Sequence, residues 1–303
     1  NDIINVKDKV IEFETGNVLI GSVSRLYMSN KCLLIADHKS VDKQIHIFNK
    51  NDFSYLTSIG NFGEGPEEIT VMGCLAIDEA HHQLYVSDHA KQKIFSYDMD
   101  SVMVDSLYKP QVKTAMNETL FPSEYQYIND TLSIAVLIKP TSTSTFNQFL
   151  GRWNMNTGEM IPMKYTHPDI QKKRITFAAS EKAGIYVECY TRHDLMTICS
   201  LDGELLYNIY GPDWDGGNGN KLQSFGTVMI GNDKIFVSYC GEDYARDSFP
   251  TKILVFDLEG NYLKTLETGY KISDCCYDSF NNRIILSLND VVQFAYLDID
   301  GII

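Results

Sequence analysis

The sequence predicts an all-β protein, a six-bladed β-propeller of four-stranded antiparallel blades built as a single domain over residues 1–303. Three observations lead there. Short alternating strands recur in a fixed order, with hairpin turns spaced by roughly 40 to 57 residues, the period of a propeller blade. Those turns carry Asp-Gly, Glu-Gly and related pairs, which suit the positive φ of tight hairpins. The two ends of the chain are also mismatched, because the last copy stops one strand short and the N-terminus offers a strand without a blade.

That N-terminal strand is KVIEFET, residues 9–15. The first copy, VSRLYMSNKCLLIADHKSVDKQIHIFNKNDFSYLTSIG, sets LLIADH where the second has LYVSDH, and QIHIFNKND where the second has KIFSYDMDS. The second copy is CLAIDEAHHQLYVSDHAKQKIFSYDMDSVMVDSLY, with strands expected at 74–77, 83–87, 93–97 and 103–107. A weaker third copy is YQYINDTLSIAVLIKPTSTSTFNQFLGRWNMNTGEMIPM; the fourth is ITFAASEKAGIYVECYTRHDLMTICSLDGELLYNIYG, and the fifth begins FGTVMIGNDKIFVSYC. Turns after the third strands fall at 49–52, 98–101, 156–158, 202–203, 259–260 and 300–301. The sixth copy, KISDCCYDSFNNRIILSLNDVVQFAYLDIDGII, has three strands; pairing it with residues 9–15 closes a ring and leaves no long exposed edge. An α/β chain would need amphipathic helices of about ten residues between strands, and the apolar spacing supplies none.

Composition agrees. Apolar residues make up 44% and aromatics 12%, and the 18 tyrosines and 15 phenylalanines favour strands. A net charge of -14 repels phosphate backbones, and the densest basic run, KKR at 172–174, reads as a solvated turn, so nucleic acid is not an expected partner. Seven cysteines lie in strand-like runs without C-x-x-C spacing and read as mostly free, buried thiols. No apolar run approaches the roughly 18 residues of a membrane span. The chain opens without methionine, as expected where a signal peptide has been removed, and any lipid anchor would lie outside these residues.

GNFGEGPEE, residues 60–68, has the glycine spacing of a phosphate loop. Pro66 and Glu67 stand where such a loop needs lysine and a hydroxyl, and the acids oppose an anion. The stretch reads instead as the passage from the first blade to the second, with Pro66, Glu67 and Glu68 starting a single helical turn. GEGPEE followed by LAID…QLYVSDHAKQKIFSYD resembles the NHL-type repeat, and more closely the TolB-like six-bladed propellers. The likeness is best over 58–101, and Glu67 replaces a glycine of the usual motif. The resemblance implies a structural role for the motif and a secreted or lipid-anchored protein in the periplasm or on the surface of a Gram-negative bacterium.

In a propeller the second-to-third-strand loops and the connections between blades share one face, where ligands dock around the axis. Those loops here are ADHKS, SDHAK, TRHDL and CGEDYARDS, with KKR and GPDWDGGNGN between blades. They give the candidate ligand-binding residues Asp37, His38, Asp88, His89, Arg174, Arg192, His193, Asp194, Trp214, Glu242, Asp243 and Arg246. The two Asp-His pairs stand at equivalent places in successive blades. That equivalence favours aspartates that accept turn hydrogen bonds over histidines acting as metal ligands or general bases. Arginines and acids together suit an anionic or hydroxyl-rich ligand, and equally solvated ion pairs. Asp213, Asp215 and Asn218 offer oxygens but fail the EF-hand pattern. His81 and His82 fall in a first-to-second-strand turn on the opposite face and read as solvated. No G-x-S-x-G or H-E-x-x-H run occurs, and no catalytic residue is assigned.

Two functions follow. The first is a cell-envelope binding or scaffold propeller that needs no cofactor and recognises a protein, peptide or glycan on the loop face. The alternative is a metal-dependent hydrolase or lyase with an axial divalent ion held by histidines and carboxylates.

Overall fold

The computed structural model describes residues 2–219 and 221–303. Six sheets follow one another along the chain, sorted into two compact units: Thr15–Met163, and Asn1–Glu14 with Lys164–Ile303.

In the unit Thr15–Met163 the first sheet comprises Ser24–Met28, Cys32–Asp37, Lys43–Asn49 and Tyr55–Asn61. The second comprises Met72–Asp78, Gln83–Asp88, Lys93–Asp98 and Gln111–Ala115, and the third Phe121–Asn129, Leu132–Pro140, Phe146–Trp153 and Met160–Pro162. Consecutive strands pair in each. Second strands are covered on both faces, so they read as unbroken apolar runs; Cys32–Asp37 is buried at every position. Leu34, Ile45, Ile47, Leu84, Val86 and Phe95 form one core and Tyr85, Tyr125, Leu137 and Trp153 another. Each fully buried aliphatic side chain contributes about 1.5–3 kcal/mol.

The second sheet departs from expectation. Residues 98–101 are not a hairpin turn and 103–107 not a strand: Met99–Val104 is a helix, α1, and the fourth strand lies further on at Gln111–Ala115. Asp98 causes this, because its Oδ1 accepts the Ser101 backbone N–H at 2.8 Å and caps the first turn. Val102 then points into the core, and Met99 and Met103, four apart, share one face.

Residues 60–68 do connect the first two sheets, but 66–68 make a turn rather than a helical turn. A side chain occupies the glycine cradle. Oε1 of Glu68 accepts the Gly65 N–H at 2.9 Å, and its carboxylate lies within 2.6 Å of where a Cβ on Gly63 or Gly65 would sit. The protein therefore places its own carboxylate where a phosphate would need to be.

In the other unit the fourth sheet comprises Ile175–Ser180, Ile185–Tyr190, Leu195–Ser200 and Leu205–Tyr210, and the fifth Leu222–Gly231, Lys234–Asp243, Lys252–Asp257 and Tyr262–Glu267. The sixth supplies Ile272–Asp278, Arg283–Leu288 and Phe294–Asp298, and Val10–Glu12 completes it antiparallel, with Val10 opposite Leu297. This is the predicted use of the N-terminal strand. An unpredicted strand precedes it: Ile3–Asn5 runs parallel to Tyr262–Glu267 as a fifth strand of the fifth sheet. Between them Val6 is fully buried against a core that includes Phe236, Ile253 and Leu286.

All seven cysteines are unpaired and buried. Burial pushes the thiols of Cys189, Cys275 and Cys276 well above their ordinary value.

Candidate ligand-binding site

In the unit Thr15–Met163, the aspartates of the two Asp-His pairs are turn acceptors. Asp37 takes the N–H of Gly21 at 2.9 Å and of Lys39 at 3.1 Å; Asp88 takes those of Thr70, Val71, Ala90 and Lys91 at 2.8–3.2 Å. Backbone amides thus engage both oxygens of each carboxylate. His38 Nε2 donates to the Gly73 carbonyl at 3.1 Å, leaving a buried Nδ1 without a partner, and the His89 ring lies over Gly73 and against Phe121. Burial holds both histidines below their ordinary pKa.

In the same unit His81, exposed as expected, also places Nδ1 2.8 Å from Asp78 Oδ2, which accepts the Tyr85 hydroxyl at 2.8 Å. Burial pushes the Asp78 carboxyl up, but the hydrogen bonds from Tyr85 and His81 outweigh it and leave its pKa below the ordinary value. With Asp130, these residues form the one group of His and carboxylate atoms close enough for a metal ion among the described residues. Asp130 Oδ1 already accepts the Tyr127 hydroxyl, so tyrosine and histidine donors engage an oxygen of each carboxylate.

The other unit gathers the charged loops. Beyond the ladder of Ile175–Ser180 with Ile185–Tyr190, the Thr191 N–H donates to the Arg174 carbonyl at 2.9 Å and sets Arg174 beside Arg192. Burial, and then the positive charge of Arg192, lower the Arg174 pKa. The Arg192 guanidinium lies 3.9 Å from the centroid of the Tyr244 ring, a cation–π stack that orients its plane. Tyr244 is held by a 3₁₀ turn, Tyr244–Arg246, which Asp243 caps by accepting the Ala245 N–H at 2.8 Å. Glu242 and Arg246 pair with each other at 3.2 Å on the exposed side of that turn.

Beneath the arginines lies a charge pair absent from the candidate residues. Lys173, read from sequence as part of a solvated turn, is 9% exposed, with Nζ 3.6 Å from Glu188 Oε1. The Tyr190 hydroxyl donates to the same oxygen at 2.5 Å. The only sequence signal for Glu188 is a lone acid in the buried run IYVECY.

His193, Asp194 and Trp214 hold the connection that follows the fourth sheet. Asp194 accepts the Asp213 N–H at 2.9 Å and the Tyr239 hydroxyl at 3.1 Å, and burial raises its pKa. Trp214 packs against Tyr210, His167 and His193, with ring centroids 5.0, 5.3 and 6.0 Å away. The Asp169 N–H donates to His167 Nδ1, so His167 Nε2 carries the proton and donates to the Tyr210 hydroxyl at 2.9 Å. Asp215 accepts the N–H groups of Gly217 and Gly219, so of the oxygens weighed for calcium those of Asp215 serve the loop's own backbone. The last residue of GPDWDGGNGN, Asn220, lies outside the described residues.

Residues 1–149, just under half the chain, match the model of the DUF5128 family, described as a 6-bladed beta-propeller. The fold is a six-bladed β-propeller. The propeller resembles a Bacteroides fragilis protein described as exported, at 14% identity and a TM-score of 0.60 over 93% of this chain and 85% of that one. A DUF4221-family member from Bacteroides vulgatus is similar at 11% identity and a TM-score of 0.60, covering 95% and 94%. The WD40 repeats of RRP9 reach a TM-score of 0.63 at 9% identity, covering 96% and 97%. At such identities the likeness is one of fold alone. Against curated proteins the sequence finds no match. No helix among the described residues is long and apolar enough to cross a membrane.

Proposed function

We propose that this propeller is a binding protein of the bacterial cell envelope, and that its ligand presents a carboxylate, on a protein, peptide or glycan, to Arg174 and Arg192. The observation that carries this reading is the meeting of the two arginine-bearing segments: Thr191, next to Arg192, donates its N–H to the Arg174 carbonyl, and the Arg192 guanidinium is oriented by the Tyr244 ring. Planar guanidinium groups present paired N–H donors that match the two oxygens of a carboxylate. The nearby carboxylates are committed elsewhere: Glu188 to Lys173 and Tyr190, Asp194 to a backbone amide and Tyr239, Glu242 to Arg246. That favours recognition over acid–base hydrolysis. The envelope setting draws support from the exported Bacteroides neighbour and from the resemblance to secreted propellers.

Thermal unfolding with glucuronate and an acidic tripeptide, each against its methyl ester, tests the reading. The free acids are expected to raise the melting temperature, and Arg174→Ala and Arg192→Ala each to abolish the rise. Equal effects of acid and ester, or an undiminished rise in both variants, would overturn it.

A further inference from the structure

The unit Thr15–Met163 contains a cavity of about 470 Å³ at the first-to-second-strand turns of its first two sheets, away from every candidate loop. Its floor is apolar: Leu34 and Leu56 from the first sheet, Ile77 and Leu84 from the second, and Met99 and Met103 from α1. Helix α1 builds this wall. In the first, third, fourth and fifth sheets a tight turn joins the third strand to the fourth; in the second the chain makes α1 there instead. The methionine pair at positions i and i+4 faces the cavity, and flexible, polarisable thioethers suit an apolar ligand of adaptable shape.

The rim is acidic. Glu79, on the turn of the second sheet, accepts the Asn30 N–H through Oε1 at 2.7 Å, and Asp100, on α1, meets His82 Nδ1 through Oδ2 at 2.9 Å. The second oxygen of each takes no hydrogen bond from the described residues. Against these two acids the lining carries one lysine, Lys31. A volume of this size falls within the range of small-molecule sites, where an apolar lining with a few convergent polar groups sets affinity and orientation.

We infer that this cavity binds a small amphiphilic organic cation, its hydrocarbon body against Leu56, Met99 and Met103 and its positive group between Glu79 and Asp100. The site is separate from the arginine pair and stands or falls without it.

The test uses three probes of equal chain length, hexyltrimethylammonium, 1-hexanol and hexanoate, titrated into protein labelled with ¹³C at the methionine methyls. The ammonium is expected to shift the Met99 and Met103 resonances and to bind tightest, with hexanoate weakest. Glu79→Gln with Asp100→Asn, both on exposed side chains, is expected to reduce the ammonium's affinity about three- to tenfold while leaving that of hexanol unchanged. A preference for the cation that survives the double variant would overturn the assignment, as would unshifted methionine methyls. So would concentration-dependent dimerisation abolished by Met103→Glu without any probe binding, which would give the cavity to a second copy of the chain.

Discussion

Lys173 and Glu188 form a buried ion pair, Nζ to Oε1 3.6 Å, with both side chains less than a tenth exposed. Removing one partner leaves the other charge uncompensated in a low dielectric. Glu188→Leu is expected to cost about 3–5 kcal/mol in urea unfolding, and Lys173→Met with Glu188→Leu to recover most of it. A double variant as unstable as the single one would show that the pair acts through Tyr190 instead.

Stability is expected to fall as pH drops from about 7 to 5. Burial holds His46, His167 and His193 below their ordinary pKa, so in this window the unfolded chain binds protons that the native state refuses. Each such histidine contributes a slope of up to about 1.4 kcal/mol per pH unit. Asp194, raised by burial, works in the opposite sense at lower pH, because its native form takes up a proton first. Urea midpoints at pH 7.5, 6.5 and 5.5 measure the slope, and His193→Gln is expected to flatten it.

Gly219 has φ +59°, and a Cβ there would lie 2.1 Å from His193 Cε1. Gly16, with φ +66°, faces open space. Gly219→Ala is therefore expected to cost about 1–3 kcal/mol more than Gly16→Ala, which carries backbone strain alone. Equal costs would mean that the His193 ring yields to the methyl group.

Val6 is fully buried and Ile3, on the neighbouring strand, is 57% exposed. Val6→Ala is expected to cost about 2 kcal/mol and Ile3→Ala less than about 0.5 kcal/mol. The contrast, read by chemical unfolding, measures how firmly the N-terminal segment is bound into the fifth and sixth sheets.

The blades were legible because each repeats alternating strands and a polar turn at a spacing of roughly 40 to 57 residues, where local chemistry is enough. Helix α1 was missed because its six residues, with Val102, Met103 and Val104 in one apolar run, are too few for a helical period to register; the contrary signal was Asp98 three residues before Ser101, a capping arrangement. Ile3–Asn5 is too short for any period to register. At the site, Asp37 and Asp88 were readable as turn acceptors from their equivalence. The meeting of Lys173 with Glu188, and of Arg192 with Tyr244, was not, since each depends on strands and loops brought together only by the fold. KKR looked solvated for the same reason: burial of Lys173 is set by a partner fifteen positions away in sequence.

The buried thiols make the protein its own record of local opening. Cys32 lies in the first blade, Cys74 in the second, Cys189 and Cys199 in the fourth, Cys240 in the fifth, and Cys275 and Cys276 in the sixth. A thiol reagent reaches each only when its blade loosens, so labelling rates resolved by peptide would rank five of the six blades by their freedom to breathe, without a single substitution.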